Sequence, residues 1–306
     1  MHHAWHVLID PFQYQFMVKA LLVGALVGIV SAVLSCFVTL KGQSLLGDAV
    51  SHAVLPGVVL AYLAGIPFGA GALVSGLSAV LLIGWIERNT RLRSDAVIGI
   101  VFTTYFGVGL ILASMIPRLS DWVYSSFGYR APLMSVNTIL FGNVLGIADS
   151  DALQTLVIGV VTLGLVVVFR RDLLLFCFDP NYARAIGINV RRLSMLLQLL
   201  LALTIVVALQ TIGIVLVVAM LVAPGAIAYM LTNRFDRMLL IAVASSVVSC
   251  VSGIYASYYL NASTGGSIVF IQSLVFLAVL CLAPKPGLFA QMRTRNAIRP
   301  TPRTTP

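Results

Sequence analysis

Residues 16–40 read FMVKALLVGALVGIVSAVLSCFVTL, and residues 41–57 continue as KGQSLLGDAVSHAVLPG. The first stretch is apolar except for Lys19 and a few hydroxyls, and about 20 such residues cross the hydrocarbon core of a bilayer as a helix. Gly24, Gly28, Ala32 and Ser35 form a small-residue stripe on which another helix can close. The second stretch breaks this pattern by bringing a carboxylate, Asp48, and an imidazole, His52, to the start of the next apolar run. Their i, i+4 spacing puts both side chains on one face of a helix, so an oxygen and a nitrogen can reach a single cation. Ionisable groups at membrane depth are costly and by default mark the path of an ion or substrate. Pro56 and Gly57, one turn further on, loosen the helix as the lining of a transport cavity often requires. Two plainer readings stand beside this one: Asp48 can cap a helix N-terminus, and His52 can satisfy its ring on a backbone carbonyl.

The rest of the chain follows the first stretch. Of its 306 residues 60% are hydrophobic and 9% charged, with a mean hydropathy of +1.03. The apolar runs are continuous where a barrel would alternate, so the fold class is all-α, a polytopic transmembrane helical bundle. The net charge of +9 lies mostly in short loops and in the tail, where cytoplasmic loops carry it, and calls for no nucleic acid. Cys36, Cys177, Cys250 and Cys281 are far apart and form no CxxC, so neither a disulfide framework nor a thiolate zinc site is expected. The first apolar run follows His6 and Asp10 without a basic leader, and no cleavable signal peptide is read there.

Three parts are expected: residues 1–15 as an extracytoplasmic segment, 16–284 as the membrane domain, and 285–306 as a basic, disordered cytoplasmic tail. The first carries His2, His3 and His6 and reads as an interfacial or disordered tip, with a terminal metal-binding tract as the alternative. The second span starts near Asp48 and the third covers residues 69–86. Arg88, Arg91 and Arg93 then mark a cytoplasmic loop, and Asp95 is expected to cap the fourth span. Residues 117–150 form a long aromatic connection, suited to the membrane interface or to docking another protein on the outer side. A fifth span follows, opened by Asp149 and Asp151.

Next comes a cytoplasmic loop with five arginines, Arg170, Arg171, Arg184, Arg191 and Arg192. Inside it Asp179-Pro180 starts a short helix and Gly187 stops it, giving a helix over residues 180–186. An apolar helix displayed to the cytosol fits a protein partner, and a helix lying in the lipid interface is the alternative. Residues 193–231 exceed one crossing and break near 211–213. Two further passes follow, at 239–260 and 268–283. Counting the basic loops inward gives about nine spans, eight if one is re-entrant, with the N-terminus outside and the C-terminus inside.

The chain holds no GxxxxGK[ST], so it binds no ATP through a P-loop, and no HExxH or GxSxG, so it carries no hydrolytic machinery. It reads as a conduit and not as an enzyme. Three segments in order resemble the permease subunits of bacterial ATP-binding-cassette importers of manganese, zinc and iron. These are GQSLLGDAVSHAVLPGVVLAYLAG at 42–65, RSDAVIGIVFT at 93–103, and FDPNYARAIGINVRRL at 178–193 followed by ALQTIGIVLVVAMLVAPGAIA. The resemblance covers most of residues 15–284. It implies a bacterial plasma (inner) membrane location among lipid and a fold similar to cobalamin and siderophore importers. It also implies a second permease protomer (identical or paired), a separate cytoplasmic ATPase subunit and an extracytoplasmic metal-binding protein.

Asp48 and His52 fall on the family's DxxxH pair, expected to contact the metal in transit. Asp179, Pro180, Ala183, Arg184 and Gly187 fall on its coupling helix, which the ATPase receives. No permanently bound cofactor is implied; Mn2+, Fe2+ or Zn2+ is cargo, and SHAVLPG is closer to manganese and iron members than to zinc members, which tend to read AHASLLG. Relatives often hold acidic or histidine residues before ILFGN, where this chain reads SVNT. A stand-alone, gradient-driven metal transporter or channel is the alternative, and a purely structural membrane subunit a third reading.

Overall fold

A computed structural model describes residues 14–118 and 149–282. Most of the N-terminal segment, the aromatic connection from 119 to 148 with its SVNT, and the basic tail lie outside the described residues. The named helices are α1 (Gln15–Lys41), α2 (Leu45–Ala53), α3 (Leu55–Ala64), α4 (Phe68–Asn89), α5 (Ser94–Ser114) and α6 (Asp149–Val168). They continue with α7 (Arg170–Phe178), α8 (Pro180–Ala185), α9 (Val190–Ile212), α10 (Ile214–Leu231), α11 (Phe235–Leu260) and α12 (Thr264–Leu282). Eight segments are long and apolar enough to cross a membrane, counting α2 with α3 as one (Leu45–Ala64), and α10 is a shorter apolar segment beside them. The expected eight to nine spans are therefore present.

Polar contacts sort the helix ends onto two sides. Lys41 at the end of α1 reaches Ser194 at the start of α9, and Arg170 at the start of α7 pairs with Asp236 at the start of α11. At the opposite ends, Lys19 pairs with Asp149, and the rings of Tyr14 and Tyr258 lie 6.3 Å apart. The arginine-bearing loops at 88–93, 170–192 and 234–237 fall on the Lys41 side, as the charge distribution requires of one membrane face, whereas the single Arg118 follows the opposite end of α5.

The small-residue stripe of α1 does what its spacing predicts. The Ser246 hydroxyl of α11 donates to the Gly28 carbonyl at 2.9 Å, and Gly24 faces Cys250 one turn along. At the other end of the stripe, α10 meets Ser35. Pro224 sits inside α10, and the Gly225 N–H that follows it donates to the Ser35 hydroxyl at 2.9 Å. A Cβ on Gly225 would lie 2.5 Å from the Ser35 carbonyl oxygen, so only glycine allows the two backbones to approach this far. Around this seam Leu34, Phe37, Leu200, Leu201, Ile205 and Val217 form a fully buried core.

Three details depart from the sequence reading. The second span begins at Leu45, three residues before Asp48. Asp95 is no cap: Arg93 holds the N-cap position, Asp95 lies in the first turn, and no side chain caps that helix. The loop after the fifth span contains α7, a helix hidden by its flanking charges, with Leu173, Phe176 and Cys177 turned into the core at i, i+3, i+4 spacing.

Candidate metal-transit site

The crossing segment that carries Asp48 and His52 is two short helices. Pro56 has no N–H to offer the His52 carbonyl, the i−4 acceptor a continuous helix would use, and α2 ends at Ala53 before α3 resumes at Leu55. The plain capping reading of Asp48 fails: Ser44 is the N-cap residue and Asp48 lies within the first turn of α2, where the positive end of the helix dipole favours its charge. Asp48 Oδ1 and His52 Nε2 lie 3.3 Å apart. The side chains keep 41% and 26% of their surfaces exposed, so one flank of the pair is left uncovered by this chain.

The backbone-carbonyl reading of His52 also fails, because its Nδ1 is buried and has no hydrogen-bond partner. The ring instead meets α5, with the Phe102 and Phe106 centroids each 5.3 Å away. Those two rings lie 6.0 Å apart and 18° from parallel, one turn apart on α5. Sequence reasoning missed them; FTTYF at 102–106, with aromatics at i, i+3 and i+4 beside the second family-like segment, was the available signal. Thr103 and Thr104 are spent on their own helix, donating to the Gly99 and Ile100 carbonyls. Among the described residues no group of three or more His, Cys, Asp or Glu comes together. At this point of the fold the described residues thus bring together one carboxylate and one imidazole.

From Pro56 onward an apolar groove of about 420 Å3 runs between α3 and α4, lined by Gly57, Leu60, Ala61, Gly71 and Val74 among others. The two helices touch backbone to backbone: a Cβ on Gly57 would lie 2.0 Å from the Gly71 carbonyl oxygen, and one on Gly71 2.2 Å from that of Gly57. Ser75 closes the contact by donating to the Ala53 carbonyl at 2.6 Å, which also occupies an acceptor at the helix break.

On the arginine-bearing side the short helix is present as expected. Asp179 caps α8, its carboxylate accepting from the Asn181 and Tyr182 N–H groups at 2.9 and 3.0 Å, and Pro180 is the first helical residue. Ile186 is the C-cap, and Gly187 follows at φ +86°. Ala183 is buried against the bundle, whereas Phe178, Tyr182 and Ile186 are exposed beside Arg184.

A bundle with eight segments able to cross a membrane, one of them broken and bearing an aspartate and a histidine, has the build of an integral membrane transport protein. The chain belongs to the ABC 3 transport family, which it matches over residues 13–283. It is 52% identical over 297 residues to the manganese transport system membrane protein MntB of Synechocystis sp., covering 97% of this chain and 92% of that one. It is 46% identical to the chelated iron transport system membrane protein YfeC of Yersinia pestis, over 97% of this chain and 96% of that one. Among solved structures, PsaBC from Streptococcus pneumoniae in complex with Fab superposes with a TM-score of 0.75 at 37% identity, covering 90% of this chain and 95% of that chain.

Proposed function

We propose that this chain is the permease through which an ATP-driven importer passes a divalent transition-metal ion, manganese or iron, and that the ion is met on the way by Asp48 and His52. The pair itself carries the reading: a hard oxygen and a borderline nitrogen, 3.3 Å apart on one helix face, with no thiolate beside them, suit Mn2+ or Fe2+ and not Cu+. Two ligands hold an ion weakly enough to let it go, as conduction requires. The relatives support manganese and iron as cargo; their names lend nothing to zinc, which the resemblance had included. The cycle needs an extracytoplasmic metal-binding protein that hands over the ion and a cytoplasmic ATPase subunit, which family membership supports, and in this reading a second permease protomer completes the pathway. The ATPase would dock on α8 through the surface built by Asp179, Pro180, Ala183, Arg184 and Gly187. Exposed Tyr182 and Ile186 on a short capped helix favour that role over a gradient-driven carrier, which has no need to display one.

The test is Mn2+ and Fe2+ accumulation in cells carrying Asp48→Ala or His52→Ala, with membrane insertion of the subunit checked in parallel. Uptake falling to background in both variants is expected. Wild-type uptake in both would remove the pair from the pathway.

A further inference from the structure

We infer that Lys41 is a positioning residue through which movement of the α7–α8 segment reaches the Asp48–His52 pair; this rests on the reading above that α8 receives the ATPase and α2 meets the ion. Lys41 ends α1, and its ammonium stands 4.7 Å from the centroid of the Phe176 ring in α7 and 3.5 Å from the Ser194 hydroxyl in α9. Phe176 is buried, and α7 is continuous with α8 in the strict sense that Asp179 is both the C-cap of one and the N-cap of the other. A displacement of α8 therefore carries the aromatic face on which the Lys41 charge rests.

On its other side Lys41 lies four residues before the first residue of α2. Gly42 turns the chain at φ +69°, and buried Gln43 follows. The Gln43 carbonyl accepts the Leu46 N–H at 3.0 Å in the first turn of the helix that bears Asp48. The Gln43 amide donates to Glu87 of α4 at 3.4 Å and to Ser94 of α5 at 3.3 Å, and Ser94 donates to the same Glu87 oxygen at 2.6 Å. Three residues, 41 to 43, thus join the segment expected to move to the two helices packed around the metal pair. α5 is among them, and it carries Phe102 and Phe106 against His52. A lysine that merely snorkels from the end of a span would touch none of these groups in particular.

A direct reading comes from the complete complex, with ATPase subunit and binding protein, in proteoliposomes where Mn2+ entry and ATP hydrolysis are followed together. Lys41→Met keeps the stem and loses the charge, and Phe176→Leu keeps the volume and loses the ring. Each is expected to retain the ATPase subunit and hydrolysis while Mn2+ entered per ATP falls about tenfold, the effect of losing a partly desolvated cation–π contact. The double variant should be no worse than either single one, and Lys41→Arg, which can still stack on the ring, should restore the ratio. A wild-type ratio in Lys41→Met, additive losses in the double variant, or a Lys41→Met complex that fails to assemble overturns the inference. An Asp48→Asn arm separates the two readings: entry abolished there with Lys41→Met unaffected sinks this inference alone, and wild-type entry in Asp48→Asn sinks the transit-site reading beneath it.

Discussion

His52 Nε2 lies 3.3 Å from Asp48 Oδ1, and the other ring nitrogen of His52 is buried without a hydrogen-bond partner. An ion held at Nε2 would leave the proton of the imidazole on Nδ1. Histidine ligands usually anchor that second N–H on a carboxylate or carbonyl. Here the rings of Phe102 and Phe106 stand against the imidazole, each centroid 5.3 Å away. Aromatic rings make weak acceptors, so their contribution is mainly to fix where the imidazole can stand.

It follows that trimming those rings should blunt ion capture without removing a ligand. Phe102→Ala and Phe106→Ala are each expected to raise the half-saturating Mn2+ concentration for uptake about tenfold, the lower end of what outer-shell partners of metal ligands contribute. Concentration-dependent uptake in cells with matched insertion measures this. An unchanged half-saturation point in both variants would leave His52 positioned by something other than these rings.

The contact between Gly57 and Gly71 should tolerate no side chain. Backbone oxygens stand 2.0 and 2.2 Å from where each Cβ would be placed, so alanine at either site must push α3 and α4 apart. Overpacking of this kind costs about 1–3 kcal/mol. Gly57→Ala and Gly71→Ala should lower the thermal midpoint in detergent. Gly107→Ala, where nothing lies within 4 Å, should keep the midpoint or raise it slightly, because alanine favours helix. Equal midpoints for all three would mean that α3 and α4 are not packed this closely in the folded protein.

Asp179 offers a separate handle on α8. Its carboxylate satisfies two N–H groups at the start of a six-residue helix too short to persist by propensity alone. Asp179→Ala should weaken the helix by about 1 kcal/mol, and Asp179→Ser should restore most of it. The expected readout is the amount of ATPase subunit co-purifying with the chain: reduced for alanine and recovered for serine. Equal recovery with alanine would count against α8 as the docking element.

The sequence was legible wherever one physical signal dominated. Run lengths of apolar residues fixed the crossing segments, the Gly24-Gly28-Ala32-Ser35 spacing located the seam of α1, and Asp179-Pro180 with Gly187 bracketed α8. Residues 48 and 52 were readable as a pair because i, i+4 geometry is local. What escaped depended on contacts between distant segments. Phe102 and Phe106 read as ordinary apolar residues of a span until α5 is packed against α2. Lys41 and Gln43 read as loop polarity until Phe176, Glu87 and Ser94 are brought to them. Asp95 reads as a cap because capping turns on register, here two residues, which composition does not resolve. α7 was lost because Arg170, Arg171 and Asp172 gave it the composition of a loop while its buried stripe is only three residues long.

Cys177 turns the burial of that stripe into a pH-dependent observable. It lies in α7, outside the crossing segments, and burial pushes its thiol from an ordinary 9.0 up to about 12, against the opposing pull of the Lys41 charge. Only the thiolate reacts with maleimide, so near pH 8 the native protein should label at Cys177 far more slowly than the protein opened in dodecyl sulfate. The same displacement has a sign in stability. Between pH 9 and about 12 the folded chain keeps a proton that the unfolded chain has released, so the unfolded state binds fewer protons and stability falls as pH rises. Cys177→Val removes that contribution and should make the thermal midpoint decline less between pH 8 and 10.5 than in the wild type. Rapid native labelling together with identical slopes would mean that α7 leaves the bundle in solution, and Phe176 with it.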